Sequence, residues 1–235
     1  MRHRDFGLLV CDTHRATPGL TLFSPLNGRA TYLVGLRGDI LHHWEHPLVN
    51  GTYGYLLESG NLLWAGRLED GPKHMGGRGG LLREYDWGGK VVWEHRHVGQ
   101  HHDFRRLPNG NTLFLGWDVV PPEIAKRIPG GLAGTSHPDG CMYGDTIVEI
   151  TPDGKTVWEW QAWRDIEVEK HPIFCNQLRD EYVHANAISP LDNGDIYVSF
   201  RRLNTCDGVD RSMSVHDCHH LLVTEHGQKK YIQAS

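Results

Sequence analysis

Short runs of alternating apolar and polar residues recur along the chain, each broken by a glycine-centred turn. Period-two alternation over such lengths predicts half-buried β-strands, and the breaks predict hairpins. Two kinds of segment repeat. The first pairs a Gly turn with an apolar-Trp-Glu strand: Gly38-Asp39-Ile40-Leu41-His42-His43-Trp44-Glu45, Gly89-Lys90-Val91-Val92-Trp93-Glu94 and Gly154-Lys155-Thr156-Val157-Trp158-Glu159. The second reads Leu-x-x-Gly-Asn/Asp-apolar: Leu57 to Trp64, Leu107 to Phe114 and Leu191 to Val198. The two kinds alternate. Asn109-Gly110 between apolar runs is the strongest of the hairpin signals. The strand over Lys90–His95 is expected to alternate faces and to pack Trp93 between sheets.

Gly38 and Gly89 stand 51 residues apart, and Gly60 and Gly110 stand 50 apart. A period near 50 built from short strands predicts an all-β repeat, a β-propeller of four-stranded blades. The chain supplies about three blades and the start of a fourth over residues 1–205, followed by a divergent tail over 206–235. Two insertions interrupt the period. One, rich in Gly and Pro, spans about Val119 to Cys141; the other lies between Trp163 and Tyr182, where Arg164–Lys170 is expected to form one short helix. Insertions in repeats fall on loops of one face, often the binding face.

Composition narrows the function classes. Of 235 residues, 39% are hydrophobic and 23% charged, which excludes gross disorder. A net charge of −5 provides no basic field for nucleic acid. No run approaches the roughly 20 apolar residues of a membrane helix, and the N-terminus lacks a secretory signal. Cys11, Cys141, Cys175, Cys206 and Cys218 are odd in number and lack a C-x-x-C pair, which favours free thiols and a cytoplasmic setting. An uncovered propeller edge is an association hazard, so self-association is expected.

The unusual load is 17 histidines. His3, His14, His74, His137 and His226 sit in polar or loop-like context and read as solvated. His102 and His184 differ: each opens an inner strand, eight and ten residues before the turn glycines Gly110 and Gly194. Nearly matched stations in consecutive blades would bring both imidazoles to a central channel, and the hairpin after His184 returns Arg201 to its side. A guanidinium and two imidazoles suit a tetrahedral oxyanion such as sulfate or phosphate. The stretch His95-x-His97-x-x-x-His101-His102-Asp103 is dense in metal donors, but its spacing matches no specific motif, and the anion reading is preferred.

Residues 88–117, from Gly-Gly-Lys-Val-Val-Trp-Glu-His to Leu-Phe-Leu-Gly-Trp, resemble the arylsulfotransferase family of the bacterial arylsulfate sulfotransferase type. Met142–Trp160 and His184–Arg201 are similar to the same family, and the resemblance covers about residues 17–211. It implies a six-bladed propeller. It also implies sulfuryl transfer from a phenolic sulfate ester to a phenol, through a channel histidine and without a nucleotide sulfate donor or other cofactor. Its partners are small aryl sulfates and phenols. Position by position, His102 matches the first channel histidine, His184 the second and Arg201 the channel arginine. His101 and Asn186 accompany them as substrate-binding candidates. The family's nucleophilic histidine lies in a later blade; here Ser212–His220 departs from the pattern, and His216-Asp217 comes too soon after Arg211 to match it. The tail reads as a truncation or a shifted frame. The alternatives are a non-catalytic propeller module that binds a sulfated or other anionic small molecule, and a metal-dependent propeller enzyme using the His95–His102 stretch.

Overall fold

The structure, a computed structural model, describes residues 8–209 and 211, together with the backbone of 219–223 and 229–233. Among these the chain is all-β, built of antiparallel sheets. It divides into two compact units between Val98 and Gly99.

The first unit holds two sheets. Strands β1 (Thr21–Phe23), β2 (Ala30–Val34) and β3 (Ile40–Glu45) form one; β4 (Asn50–Leu56), β5 (Leu62–Arg67), β6 (Gly80–Tyr85) and β7 (Val91–Arg96) form the other. The second unit repeats the pattern. Strands β8 (Gln100–Arg106), β9 (Thr112–Val119), β10 (Tyr143–Ile150) and β11 (Thr156–Gln161) make a four-stranded meander, and the two-residue β12 (Glu181–Tyr182) pairs in parallel with β10. Strands β13 (Ala185–Pro190), β14 (Ile196–Phe200) and β15 (Thr205–Val209) form a three-stranded sheet, and β16 (His219–Val223) pairs with β17 (Lys229–Gln233).

Hydrophobic pattern decides which strand is central. Leu62-Leu63-Trp64-Ala65 of β5 and Leu113-Phe114-Leu115 of β9 are continuous apolar runs, and these strands are buried on both faces. The Trp-Glu strands alternate instead and lie at sheet edges, with mostly exposed residues along β7. Trp93 is therefore only half-buried, a departure from the packed position its repeat predicts. Trp44 does fulfil that role: it is 1% exposed and donates its indole N–H to the Asp86 carbonyl in the neighbouring sheet of its unit.

The hairpins follow one template. At Leu57, Leu107 and Leu191, the backbone N–H bonds to the carbonyl four residues on, and the glycine three residues on bonds back to the leucine carbonyl. Gly35, Asp86 and Thr151 open turns with the same two bonds. The glycines Gly60, Gly110 and Gly194 have φ of 82°, 86° and 93°, whereas Asn109 is absent from the left-handed residues. Thus Asn109-Gly110 closes a type I turn with a left-handed glycine bulge, not a two-residue turn with both central residues left-handed. At Gly60 an added Cβ meets nothing within 4 Å, so any cost of substitution there is conformational. Gly60→Val is expected to lose about 2 kcal/mol and Gly60→Asn less than about 1, because asparagine tolerates the left-handed region. Equal losses by urea denaturation would contradict that origin.

The insertions become loops with little regular structure. Residues 120–142 contain α1 (Pro122–Ala125). The second insertion holds α2 (Ala162–Asp165) and a 3-10 turn (Val168–Lys170). The single helix expected over Arg164–Lys170 is thereby corrected. Ile166 and Glu167 are extended at the break, and Asp165 turns back to accept the Gln161 backbone N–H. Cys11, Cys141, Cys175 and Cys206 are unbridged thiols. Cys218, His3, His226 and His216-Asp217 lie outside the described residues.

Candidate functional site

Two buried carboxylates set the inner strands of the second unit. Strand β13 is an edge strand, so some of its N–H groups need partners from outside its sheet. Asp103 of β8 accepts the Ile188 N–H at 2.8 Å, and Asp145 of β10 accepts the Ala185 N–H at 2.8 Å. Asp103 also takes the Phe104 N–H at 2.8 Å and Arg105 Nη1 at 2.5 Å. The first bond ties β13 to β8, which carries His101 and His102, and the second ties its start, next to His184, to β10.

The backbone is irregular at that end. The β8–β9 register shifts between His101 and Phe104, and the β13–β14 register shifts between Ala185 and Ala187. His102, Val183 and His184 have φ of 43°, 65° and 52°, left-handed conformations that non-glycine residues, and β-branched ones above all, rarely adopt. Strain of this kind persists only where surrounding contacts enforce it, and it concentrates at binding sites. His102 sits within the β8 irregularity, whereas His184 precedes the first paired residue of β13. The two stations are therefore not equivalent in register, yet the rings meet, with centroids 4.9 Å apart.

A polar network surrounds them. His101 is fully buried, stacks on Trp117 at 3.9 Å, and places Nδ1 2.9 Å from His102 Nδ1. Its Nε2 lies 3.3 Å from Asp145 Oδ1. His184 Nδ1 lies 2.5 Å from Glu181 Oε2. Glu181 also accepts the Trp117 indole N–H at 2.8 Å and stands 3.5 Å from Arg202 Nη2. Arg201 returns to the cluster as its hairpin predicts: its backbone N–H bonds the His184 carbonyl at 2.9 Å, and its Nη2 lies 3.3 Å from His184 Nδ1. That nitrogen cannot donate to Glu181 and accept from Arg201 together. The nearer carboxylate takes its proton, which leaves the exposed guanidinium's donors for an incoming anion.

Protonation follows from burial. Desolvation, reinforced by His101, His184 and Arg201 and opposed by Glu181, lowers the His102 pKa to about 3, so this imidazole is neutral at physiological pH. Burial pushes the Asp145 carboxyl up to about 7 against the pull of the Ala185 N–H. When Asp145 ionises, it favours the proton on His101 Nε2. His101 Nδ1 then accepts from His102 Nδ1–H, and the lone pair of His102 falls on Nε2. In parallel, Glu181 fixes the His184 proton on Nδ1, which puts the ring's lone pair on Nε2. A carboxylate orienting an imidazole is the arrangement that activates a nucleophile or a general base.

Of the residues singled out in the sequence, His101, His102, His184 and Arg201 come together. Asn186 is exposed in the β13 irregularity. Sequence reasoning passed over Asp145, Glu181 and Trp117. Asp145 did carry a signal, being an acid just ahead of the apolar residues of β10, a strand whose burial demands a partner for it. Glu181 carried none, because it belongs to an insertion.

His137, read as solvated, is 4% exposed, since its loop folds its ring edge-on to Tyr143 at 4.9 Å. Among the described residues, His137, Asp139 and Cys141 bring three potential metal donors within 4.8 Å of one another. The His95–His102 stretch supplies no such group: His95 lies on β7 of the first unit, and His101 to Asp103 lie on β8 of the second.

No helix among the described residues is long and apolar enough to cross a membrane. No protein-family model matches the chain, and no curated protein matches it by sequence. Solved structures similar to it include a protein of unknown function from Bacteroides caccae, at 13% identity and a TM-score of 0.41 over 93% of this chain and 74% of the other. Hydrazine synthase from Kuenenia stuttgartiensis is similar at 13% identity and a TM-score of 0.48, over 80% of this chain. The chain spans about half of that enzyme chain, 48%. At these TM-scores neither likeness bears on function.

Proposed function

We propose that the sheets are blades of a β-propeller and that the protein transfers a sulfuryl group from a phenolic sulfate ester to a phenol. The observation that carries this reading is the meeting of a neutral, half-buried His102, a Glu181-oriented His184 and an exposed Arg201 at one strained strand end. The resemblance to arylsulfotransferases in residues 88–117, 142–160 and 184–201 supports the anion-holding set of His102, His184 and Arg201; the nucleophile's role, which the family gives to a histidine of a later blade, is assigned to His102 by this proposal alone.

In this mechanism Arg201 holds two sulfate oxygens with its planar fork. His102 Nε2 forms a bond to sulfur as the S–O bond to the phenol breaks, and the phenolate leaves with the electron pair. The acceptor phenol then gives its proton to His184 Nε2 while its oxygen bonds to sulfur. The N–S bond breaks, and its electron pair returns to His102. Two displacements replace one harder step and give ping-pong kinetics. Charge spreads over the sulfuryl oxygens, so positioning and cationic donors carry most of the catalysis.

The test is incubation with p-nitrophenyl sulfate and a phenol acceptor. Release of p-nitrophenol is expected, with His102→Ala inactive. Arg201→Ala is expected to weaken ester binding about tenfold or more, the size of one lost charge-assisted contact. Turnover should rise with pH through about 7 as Asp145 ionises, and Asp145→Asn should remove that limb. A folded sample that binds the ester without releasing p-nitrophenol would replace transfer with anion binding.

A further inference from the structure

The loop before β10 contains a seventh copy of the hairpin template. In His137-Pro138-Asp139-Gly140-Cys141, the His137 N–H bonds the Cys141 carbonyl at 3.0 Å, and the Gly140 N–H bonds the His137 carbonyl at 2.8 Å. Gly140 has φ 88°. The closest internal parallel is Thr151-Pro152-Asp153-Gly154-Lys155, which has the same Pro-Asp-Gly core and the same two backbone bonds. There the turn is completed by the Thr151 hydroxyl, which donates to Asp153 and accepts the Lys155 N–H. A hydroxyl therefore suffices to close this turn. In the His137 loop, the same two stem positions instead carry an imidazole and a thiol.

Those side chains converge on the turn aspartate. His137 Nδ1 lies 2.8 Å from Asp139 Oδ1, and the Cys141 thiol donates to the same oxygen at 2.9 Å. Asp139 Oδ2 takes the Tyr143 hydroxyl at 2.9 Å. The imidazole is 4% exposed and held by the Tyr143 ring, so its nitrogen is aimed by packing and not by chance rotation. All three donor atoms fall within 4.8 Å of one another on a five-residue turn that fixes their spacing. Imidazole, thiolate and carboxylate together are the donor set of a borderline-soft divalent ion such as Zn²⁺. Three protein ligands leave a fourth tetrahedral position open, which is the pattern of zinc sites that hold water or substrate. Cys141 also lines a cavity of about 320 Å³, together with Val120, Lys126, Thr135 and Arg179. The open position has space to face there.

We propose that His137, Asp139 and Cys141 form a binding site for Zn²⁺ or a similar divalent ion, with an exchangeable fourth ligand. On binding, Zn²⁺ replaces the thiol proton: the Cys141 S–H bond breaks, a Zn–S bond forms, and one proton leaves to solvent with no change of oxidation state. Asp139 exchanges its hydrogen bond from Cys141 for the metal; His137 carries its single ring proton on Nε2, so the Nδ1 lone pair that faces the Asp139 N–H turns to the metal, and the donors move apart to tetrahedral spacing. The site shares no ligand with the histidine cluster around His102 and does not depend on the sulfuryl-transfer reading.

The experiment is titration of the full chain with Co²⁺, followed by displacement with Zn²⁺. A single equivalent giving sulfur-to-cobalt charge transfer and tetrahedral d–d absorption is expected. Cys141→Ser should abolish the charge-transfer band. His137→Gln should weaken Zn²⁺ about 100-fold or more, since loss of a direct ligand exceeds loss of an outer partner. Asp139→Asn, which keeps a turn-forming side chain, should weaken it as well and guards against misfolding as the explanation. His102→Ala should leave the spectrum unchanged. Absence of the band from the parent chain, or its survival in Cys141→Ser, would overturn the proposal.

Discussion

Glu181→Ala is expected to destabilise the second unit by about 3–5 kcal/mol, the range for removing one partner from a buried ion pair. Glu181 is 3% exposed and serves Trp117, His184 and Arg202 at once. Alanine leaves the buried indole N–H and imidazole N–H without their acceptor. It leaves the Arg202 guanidinium with Asp180 and with the carbonyls of Leu178 and residue 181. Each orphaned buried donor costs about 1–3 kcal/mol, and the charge costs more. The measurement is the urea midpoint followed by tryptophan fluorescence, with an unchanged denaturant slope. A loss below about 1 kcal/mol would show that Asp180 and the carbonyls satisfy Arg202 unaided. Glu181→Gln separates structure from chemistry. The amide keeps an acceptor for Trp117, so stability should fall by only about 1–2 kcal/mol. It cannot hold the His184 proton on Nδ1 as a carboxylate does, so, on the proposed sulfuryl transfer, turnover should fall far more than stability.

The second large effect is a loss of stability in acid that originates at His46 in the first unit. His46 is 6% exposed, stacks on Trp64 at 4.0 Å and pairs with the Thr31 hydroxyl at 2.9 Å. Burial, with a smaller push from Arg83, lowers its pKa to about 4. In the unfolded chain its pKa is about 6.5. Between those values the unfolded state binds the proton and the folded state does not. Stability is therefore undiminished above pH 6.5, falls by at most about 1.4 kcal/mol per pH unit below it, and levels off under pH 4. The total is about 3 kcal/mol. His46→Phe retains the stacking and should flatten this limb by about one proton. An unchanged pH slope in that variant would refute the assignment. In the second unit two groups oppose each other. His102, lowered to about 3, loses stability in acid, whereas Asp145, raised to about 7, gains it as pH falls from 7 towards 3.8. Their near cancellation makes His46 the dominant acid-sensitive group of the three.

The repeat was legible because each hairpin needs a glycine at one left-handed position and an apolar run beside it. Gly60, Gly110 and Gly194 mark the turns in sequence and occupy them in space with nearly one φ value. Central strands carried a signal as well, since β5 and β9 hold the continuous apolar runs Leu62–Ala65 and Leu113–Leu115. The Trp-Glu strands were located correctly but not their burial: Trp44 is enclosed and Trp93 is not, although the two share one motif. The helix expected at Arg164–Lys170 is broken where Ile166 and Glu167 are extended, and Asp165 instead closes the first turn on Gln161, details that periodicity does not register.

The site was half legible. His102 and His184 stood out by their distances from the turn glycines, and Arg201 by the hairpin that returns it to His184. Their partners did not stand out, because Trp117, Asp145 and Glu181 reach the cluster from two other strands and an insertion, and long-range pairing leaves no spacing in the chain. His137 shows the same limit: its polar neighbours read as solvent contact, and the fold of its turn buries it. By itself, then, the sequence determined what is local: the all-β pattern, the hairpin template and which strands are central, all governed by backbone conformation and side-chain period. Only the tertiary structure decided which carboxylates face which histidines, and so where the protons sit, because burial and charge proximity depend on packing between strands that are far apart in sequence.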